Sequence, residues 1–284
     1  MEYILNNVKD FHLDHIFDCG QCFRWEKQED GSYIGPALGK VVRISTEGEA
    51  ENVKVTISNC TEDDYSTLWK SYLDMERDYS SIKDYLTESD EVLKKAADYG
   101  YGIRILKQDF WETVVSFIIS QNNNIPRIKG CIESICKSFG EPLGEYEGRD
   151  YFAIPSPEVM AALTVEDLGA AKLGYRAKYL IETARQMLEE GGPEVVKERL
   201  VKSANPIEDL QAFTGIGPKV AACISLFGLG RMDAFPIDVW MRRVMNQLYD
   251  IDEKDVKAMK AYAKEHFGEH GGIAQQYLFY YIRA

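Results

Sequence analysis

Residues 210–243, LQAFTGIGPKVAACISLFGLGRMDAFPIDVWMRR, decide the fold of this chain. Their pattern predicts a helix, a tight glycine turn, a second helix, a loop and a third helix. Gly215 and Gly217 permit positive φ in a tight hairpin, and Pro218 suits the first position of the helix that follows. We expect this hairpin to present bare backbone N–H groups at a helix start, where an anion such as phosphate binds.

Two side chains in this stretch are suited to chemistry. Lys219 lies in the first turn of the second helix, where the helix dipole disfavours the ammonium form and so favours a nucleophilic amine. Asp238 precedes the third helix, at a predicted N-cap. Capping alone would explain Asp238, and so would a fixed carboxylate that stabilises a developing positive charge. The residue pattern leaves both interpretations open.

The composition is that of a globular protein with room for two domains. The chain has 284 residues, of which 45% are hydrophobic and 28% charged. No apolar run reaches the length of a membrane span, and the N-terminal residues lack the layout of a secretion signal. We therefore expect a cytoplasmic protein, and the compact length favours a bacterial source.

The net charge of −13 argues against non-specific binding to nucleic acid. Basic residues nevertheless cluster in 172–185 and in 219–243. The open alternatives are an evenly mixed, solvated surface and a basic face on an acidic body.

The cysteines and histidines give no clear cofactor site, and we expect no cofactor. Cys19 and Cys22 have the spacing of a redox motif, but the Phe-Arg-Trp that follows predicts a strand, not the helix start that such a motif needs. The cysteines form no four-cysteine cluster in the sequence, so we do not expect an iron–sulfur centre. Since His12 and His15 lack a third ligand nearby, we expect two surface histidines.

The periodicity predicts an α+β fold, with a small antiparallel sheet followed by a helical part. Thr61 and Asp64 form a predicted capping box where the helical period begins. Residues 141–150, rich in glycine and acid, read as a surface loop. The β-prone runs are 21–25, 33–38, 40–45 and 53–58, with turns at Asp30-Gly31 and Glu47-Gly48. The predicted helices are 88–99, 109–120, 125–139, 170–188, 207–213, 218–227, 239–248, 253–266 and 273–282.

We predict a first domain over 1–105 and a second over 106–284, with the hairpin at about 207–228. The helix at 109–120 is apolar on nearly all sides, which predicts a position in the core of the second domain.

Four further blocks accompany the hairpin. They are GQCFRW at 20–25, SQNNNIPRI at 120–128, LGYRAKY at 173–179 and AQQYLF at 274–279. With these blocks in this order, the chain resembles the helix–hairpin–helix DNA glycosylases, and among them the 8-oxoguanine DNA glycosylase family. The resemblance spans nearly the whole chain, and it implies a repair enzyme that acts on duplex DNA as a monomer.

The resemblance implies a bifunctional glycosylase and lyase. Lys219 would attack the sugar C1′ and expel the oxidised base, and the resulting Schiff base would permit strand cleavage by β-elimination. Asp238 would stabilise the positive charge that develops on the sugar.

The resemblance also implies a pocket for a base extruded from the duplex. Phe279 and Cys223 would cover the two faces of the base, and Gln275 would bind its Watson–Crick edge. The carbonyl of Gly20 would accept from N7–H, which 8-oxoguanine has and guanine lacks. Without the other blocks, Phe279 and Gln275 read as ordinary helix packing.

A second implied group contacts the DNA that the base leaves. Asn122 would fill the hole, Tyr175 would wedge beside the opposite strand, and Arg127 and Arg176 would donate to the orphaned cytosine. Without the resemblance, both are surface arginines on helices. The hairpin glycines, Gly215 and Gly217, would hold a phosphate, with room for a structural cation on the hairpin carbonyls but no metal requirement.

The chain departs from the family pattern at three positions. Trp240 stands where familiar members carry histidine, which puts one phosphate contact in doubt; Cys22 replaces serine, and Pro126 interrupts the asparagine block.

Three alternatives stay open at this point. They are the same fold acting on an alkylated purine, a non-catalytic DNA-binding protein with a phosphate clamp, and a metabolite-binding enzyme on an unrelated helical fold. Lys219 argues against the first of these.

Overall fold

A computed structural model describes residues 1–48 and 52–283. The chain begins with an antiparallel sheet in the strand order β1-β5-β4-β3-β2, and the short helix α1 (Leu13–Phe17) lies between the first two strands. In β5, buried residues alternate with half-buried ones, because successive side chains point to opposite faces of the sheet. The strands are β1 (Glu2–Val8), β2 (Glu26–Lys27), β3 (Tyr33–Ala37), β4 (Lys40–Glu47) and β5 (Val53–Ser58).

The predicted strands at 33–38, 40–45 and 53–58 are confirmed, whereas the prediction for 21–25 is wrong. That segment is irregular because the buried Gln21 holds it by side-chain hydrogen bonds instead of a ladder. Strand β1 was not predicted. It is a mostly exposed edge strand, so it lacks the hydrophobic alternation that marks β5.

The helical part begins with the predicted capping box. Thr61 and Asp64 exchange both of its hydrogen bonds at the start of α2 (Glu62–Asp64), which continues through a π-helical turn (Tyr65–Trp69) into α3 (Lys70–Tyr72). The following helices are α4 (Tyr79–Thr87), α5 (Glu91–Tyr99), α6 (Phe110–Ser120), α7 (Ile125–Phe139), α8 (Pro157–Ala162), α9 (Arg176–Glu189), α10 (Pro193–Lys202), α11 (Pro206–Leu210), α12 (Pro218–Phe227), α13 (Val239–Tyr249), α14 (Val256–His266) and α15 (Gly271–Ile282).

Two predicted elements differ from the structure. The helix predicted over 170–188 starts only at Arg176, because Lys172 and Gly174 adopt left-handed backbone conformations that no α-helix continues through. The surface loop predicted over 141–150 is a β-hairpin of β6 (Pro142–Tyr146) and β7 (Arg149–Phe152). Helices α4, α8 and α10 were not predicted.

The centre of the helical part is α6, whose residues are almost all buried, as its apolar sequence predicts. Arg24 joins this part to the segment after α1, because its guanidinium donates to Glu133 at 3.1 Å and to the Phe152 carbonyl at 2.6 Å. Burial raises the pKa of the neighbouring Glu112 to about 7.

The predicted domain boundary at residue 105 falls in the irregular segment before α6. Within residues 1–48 and 52–283, no helix is long and apolar enough to cross a membrane.

Candidate active site

The hairpin between α11 and α12 is built around Gly215. Its φ is +79°, and a Cβ there would lie 2.4 Å from the Tyr179 ring, so only glycine fits. Helix α9 fixes the backbone of Thr214, the residue before Gly215, at both its carbonyl and its N–H. The Thr214 carbonyl accepts from Thr183 at 2.6 Å, and the Thr214 N–H donates to Gln186 at 2.7 Å. The hairpin is therefore anchored on α9.

Gly217 differs from Gly215 because it faces open space. It is the N-cap of α12 with φ of −87°, and a Cβ there would meet nothing within 4 Å. Gly217 has no side chain to cap the first N–H groups of α12, which leaves a phosphate room to approach them. The Gly215 carbonyl, by contrast, already accepts from Gln121 at 2.9 Å, so it is less suited to a cation.

Lys219 and Asp238 both lie within electrostatic range of Cys223. The Lys219 side chain is half-buried, and its Nζ lies 5.3 Å from the centre of the Phe117 ring. Burial is the main reason that the pKa of Cys223 is raised, and the nearby Asp238 carboxylate raises it further. The thiol therefore stays protonated and does not compete with the amine as a nucleophile.

Asp238 has the capping role that the sequence predicted. It is the N-cap of α13, and its Oδ1 accepts from the Met241 N–H at 2.8 Å. A carboxylate has a second oxygen, so capping by Oδ1 leaves Oδ2 for another partner. The two interpretations of Asp238 are thus compatible.

Gly20 and Phe279 meet on the other side of the site. Gly20 has φ of +81°, and a Cβ there would lie 3.2 Å from Phe279 Cε1. Phe279 lies on α15, which packs closely on α12 because a Cβ at Gly272 would come within 2.4 Å of Leu226. Helix α12 also carries Cys223, so the helices that bear the two expected stacking residues touch at Gly272 and Leu226. Gln275 is buried, and its Oε1 accepts from Gln276 at 2.8 Å.

Gln21 orients the loop that carries Gly20, a role that the sequence analysis missed. Its Nε2 donates to the carbonyls of Ile16 and Arg104, both at 2.8 Å, and its Oε1 accepts from the Leu106 N–H at 2.9 Å. The signal in the sequence was an uncharged polar residue between Gly20 and the apolar Cys22 and Phe23. Phe117, beneath Lys219, was also missed because it reads as a core residue.

Three residues of the second implied group are exposed. Asn122 lies between α6 and α7 with a left-handed φ of 46°, which asparagine tolerates better than most residues. Tyr175 is 50% exposed. Arg127 is exposed on α7 and donates to the Lys172 carbonyl at 3.0 Å.

Arg176, the fourth member, is buried, so its description as a surface arginine is wrong. Its guanidinium donates to the carbonyls of Gln121, Asn122 (2.9 Å) and Leu173 (3.1 Å). Arg176 therefore binds the carbonyls at the end of α6 and holds the backbone of the Asn122 loop.

The remaining cysteine and histidine pairs have no role at this site. Cys19 and Cys22 are buried, and burial raises the pKa of Cys19 to about 12 and that of Cys22 well above its usual range, which opposes redox reactivity. His15 is buried and accepts from the Gly102 N–H, so the expectation of two surface histidines is wrong for this residue. Trp240 is 42% exposed, and the Arg243 guanidinium lies 5.1 Å from its ring centre.

Comparisons with known proteins identify two family domains and several relatives. Residues 3–114 match the model of the 8-oxoguanine DNA glycosylase N-terminal domain, and residues 115–269 match that of the HhH-GPD superfamily of base excision DNA repair proteins. An N-glycosylase/DNA lyase of Saccharomyces cerevisiae is 31% identical over 265 residues, which are 86% of this chain and 70% of the yeast protein.

Two solved structures are similar over nearly their full length. The 8-oxoguanine glycosylase/lyase of Clostridium acetobutylicum in its apo-form has a TM-score of 0.91 and 43% identity, covering 99% of this chain and 96% of the other. The same enzyme in complex with double-stranded DNA containing cytosine opposite 8-oxoguanine has a TM-score of 0.92 and 42% identity, with coverages of 99% and 95%.

Proposed function

Because this chain belongs to the 8-oxoguanine DNA glycosylase family of helix–hairpin–helix base excision repair proteins, we propose that it removes 8-oxoguanine from duplex DNA with Lys219 as its nucleophile. It is an N-glycosylase with an associated lyase activity. The observation that carries the role of Lys219 is that its amine and the Asp238 carboxylate both lie within electrostatic range of the Cys223 thiol, next to a hairpin suited to phosphate.

The chemical step balances with the groups at this site. The Lys219 amine attacks C1′ while the bond from C1′ to the base breaks, and the base leaves with the bonding electron pair and takes up a proton. The Asp238 carboxylate stabilises the positive charge that the sugar develops. Opening of the sugar ring gives a Schiff base, and loss of a proton from C2′ then expels the 3′ phosphate by β-elimination.

The stacking faces and the hydrogen-bonding edge of the extruded base explain how the site recognises it. The extruded base stacks on Phe279 and is covered on its other face by the neutral Cys223 thiol. The Gly20 carbonyl accepts from N7–H of the lesion, and it repels the bare N7 acceptor of guanine. This assignment is supported by the closeness of Gly20 to Phe279, since a Cβ on Gly20 would lie 3.2 Å from Phe279 Cε1. Gln275 turns its amide from Gln276 to the Watson–Crick edge.

Recognition of the partner strand uses the second group. Asn122 fills the gap, Tyr175 wedges beside the opposite strand, and the exposed Arg127 donates to the orphaned cytosine, whose O2 and N3 are acceptors. The buried Arg176 holds the backbone of the Asn122 loop for this contact. We infer a preference for cytosine from the donors of Arg127; the similar C. acetobutylicum structure holds DNA with cytosine opposite 8-oxoguanine. We propose that the enzyme works as a monomer, since one chain supplies every group that this reaction needs.

Borohydride trapping tests the proposal directly, since reduction of a Schiff base joins protein and DNA covalently. We expect an adduct with a duplex that contains 8-oxoguanine opposite cytosine, and none with the undamaged duplex or with the Lys219→Gln variant. Binding without an adduct would identify a phosphate clamp without chemistry. A stronger reaction with 3-methyladenine would identify an alkylpurine enzyme, and equal rates opposite cytosine and adenine would refute the partner preference.

A further inference from the structure

Arg283 borders the expected base pocket, although the sequence analysis assigned it no role. It follows the last turn of α15, and its guanidinium carbon lies 5.1 Å from the centre of the Phe279 ring. A Cβ on Gly20 would lie 3.5 Å from Arg283 Nη1 and 3.2 Å from Phe279 Cε1. One guanidinium therefore adjoins both the residue that stacks the base and the residue that reads its N7.

The donors of Arg283 are free for a ligand. Its side chain is exposed, and no residue within 1–48 or 52–283 accepts a hydrogen bond from its guanidinium. The buried Arg176 is the opposite case, because its guanidinium is directed to backbone carbonyls. The Arg283 guanidinium packs on the face of Phe279, a contact that an incoming base can replace at little cost.

The lesion presents two neighbouring groups on the edge that faces Gly20. In 8-oxoguanine, N7–H is a donor and the adjacent O8 is an acceptor, whereas guanine has an N7 acceptor beside an apolar C8–H. A site that reads both groups needs an acceptor and a donor side by side. Gly20, whose carbonyl is the acceptor, and the Arg283 guanidinium are neighbours that can supply such a pair, since a Cβ on Gly20 would lie 3.5 Å from Arg283 Nη1.

We propose that Arg283 donates a hydrogen bond to O8 of the extruded base, so that Arg283 and Gly20 together read the edge that distinguishes the lesion from guanine. This inference rests on the proposed function. With guanine in the same position, the guanidinium faces C8–H and loses its acceptor, while the Gly20 carbonyl faces the N7 lone pair. A charge-assisted hydrogen bond of this kind changes a rate or an affinity by about 10–100-fold.

The test distinguishes a contact of Arg283 with the extruded base from a contact of Arg283 with the DNA backbone. Arg283→Met keeps the length and the packing on Phe279 but removes every donor, and Arg199→Met on α10 is the matched control. We expect Arg283→Met to slow single-turnover excision of 8-oxoguanine by about 10–100-fold. Its cleavage of a preformed abasic site, which has no base to read, stays within about twofold of wild type. Arg283→Lys restores part of the excision rate because it keeps a donor.

Three results would overturn the inference. They are unchanged excision by Arg283→Met, an equal loss on the abasic duplex, which would indicate a phosphate contact, and a lowered melting temperature that accounts for the loss. If the wild-type protein cleaves the abasic duplex but leaves 8-oxoguanine in place, the proposed function fails first.

Discussion

The hairpin region and the Asn122 loop both face the DNA in our proposal, but they are held in different ways. In the hairpin region, Lys219 and Asp238 lie at the starts of two helices, and each position is set by residues within a few places along the chain. In the loop, Asn122 is held by the guanidinium of Arg176, more than fifty residues away. The two helix starts are locally encoded, although the hairpin between α11 and α12 is anchored on α9, and the Asn122 loop depends on tertiary contacts.

This difference predicts which substitutions damage chemistry and which damage structure. A residue that only its neighbours position can lose its function while the fold stays intact. A residue whose side chain binds a distant backbone segment cannot be replaced without lowering the free energy of unfolding. The following predictions test this contrast.

The largest effect is expected for Lys219→Gln. Without the amine, the rate of excision falls by at least about 10³-fold and the Schiff base is lost. The affinity for duplex DNA changes by less than about threefold, because the hairpin backbone that would hold the phosphate is unchanged. Single-turnover excision and gel-shift titrations measure the two quantities. Residual excision within tenfold of wild type would show that another group is the nucleophile.

Asp238→Asn separates capping from catalysis. The amide oxygen still accepts from the Met241 N–H, so the free energy of unfolding changes by less than about 1 kcal/mol. The carboxylate charge is lost, so excision slows by about 10²–10³-fold. Denaturant unfolding and single-turnover kinetics give the two values. If both stay at the wild-type level, Asp238 is only a cap.

The two hairpin glycines form a matched pair. Gly215→Ala places a methyl group against the Tyr179 ring in a left-handed conformation, so it lowers the free energy of unfolding by about 2–4 kcal/mol. Gly217→Ala lowers it by less than about 1 kcal/mol but obstructs the helix start, which weakens duplex binding about tenfold. Thermal unfolding and binding titrations distinguish them. Similar losses of stability in both variants would contradict the assignment.

The two arginines give the smallest effects and test the loop. Arg176→Met leaves carbonyls at the end of α6 without a donor, so the free energy of unfolding falls by about 1–3 kcal/mol. Arg127→Met changes stability by less than about 0.5 kcal/mol, because Arg127 is exposed. It lowers the ratio of excision opposite cytosine to excision opposite adenine several-fold. An unchanged ratio would exclude Arg127 from partner-base recognition.

Sequence patterns predicted those parts of the molecule that short-range physics sets. The capping box at Thr61, the N-cap at Asp238 and the helices at 125–139 and 218–227 each depend on residues at most a few positions apart. The buried faces of the later strands follow from alternation alone. The family blocks added candidate site residues, and their roles stay predictions.

Other features depended on contacts that no local pattern contains. Residues 21–25 read as a strand, but the Gln21 side chain replaces the ladder with hydrogen bonds to carbonyls as distant as that of Arg104. Arg176 reads as a surface residue because its carbonyl partners belong to another helix. Arg283 gave no signal at all, because its neighbour Gly20 lies at the other end of the sequence.

The sequence by itself therefore determined the α+β class, the hairpin and the positions of Lys219 and Asp238 at helix starts, since backbone capping and glycine conformations act over a few residues. Only the tertiary structure decided that Lys219 and Asp238 both lie near Cys223, that Gly20 lies close to Phe279 and that one arginine is buried while another is free. These outcomes depend on which distant groups fill the same space, and packing, unlike capping, has no fixed spacing along a chain.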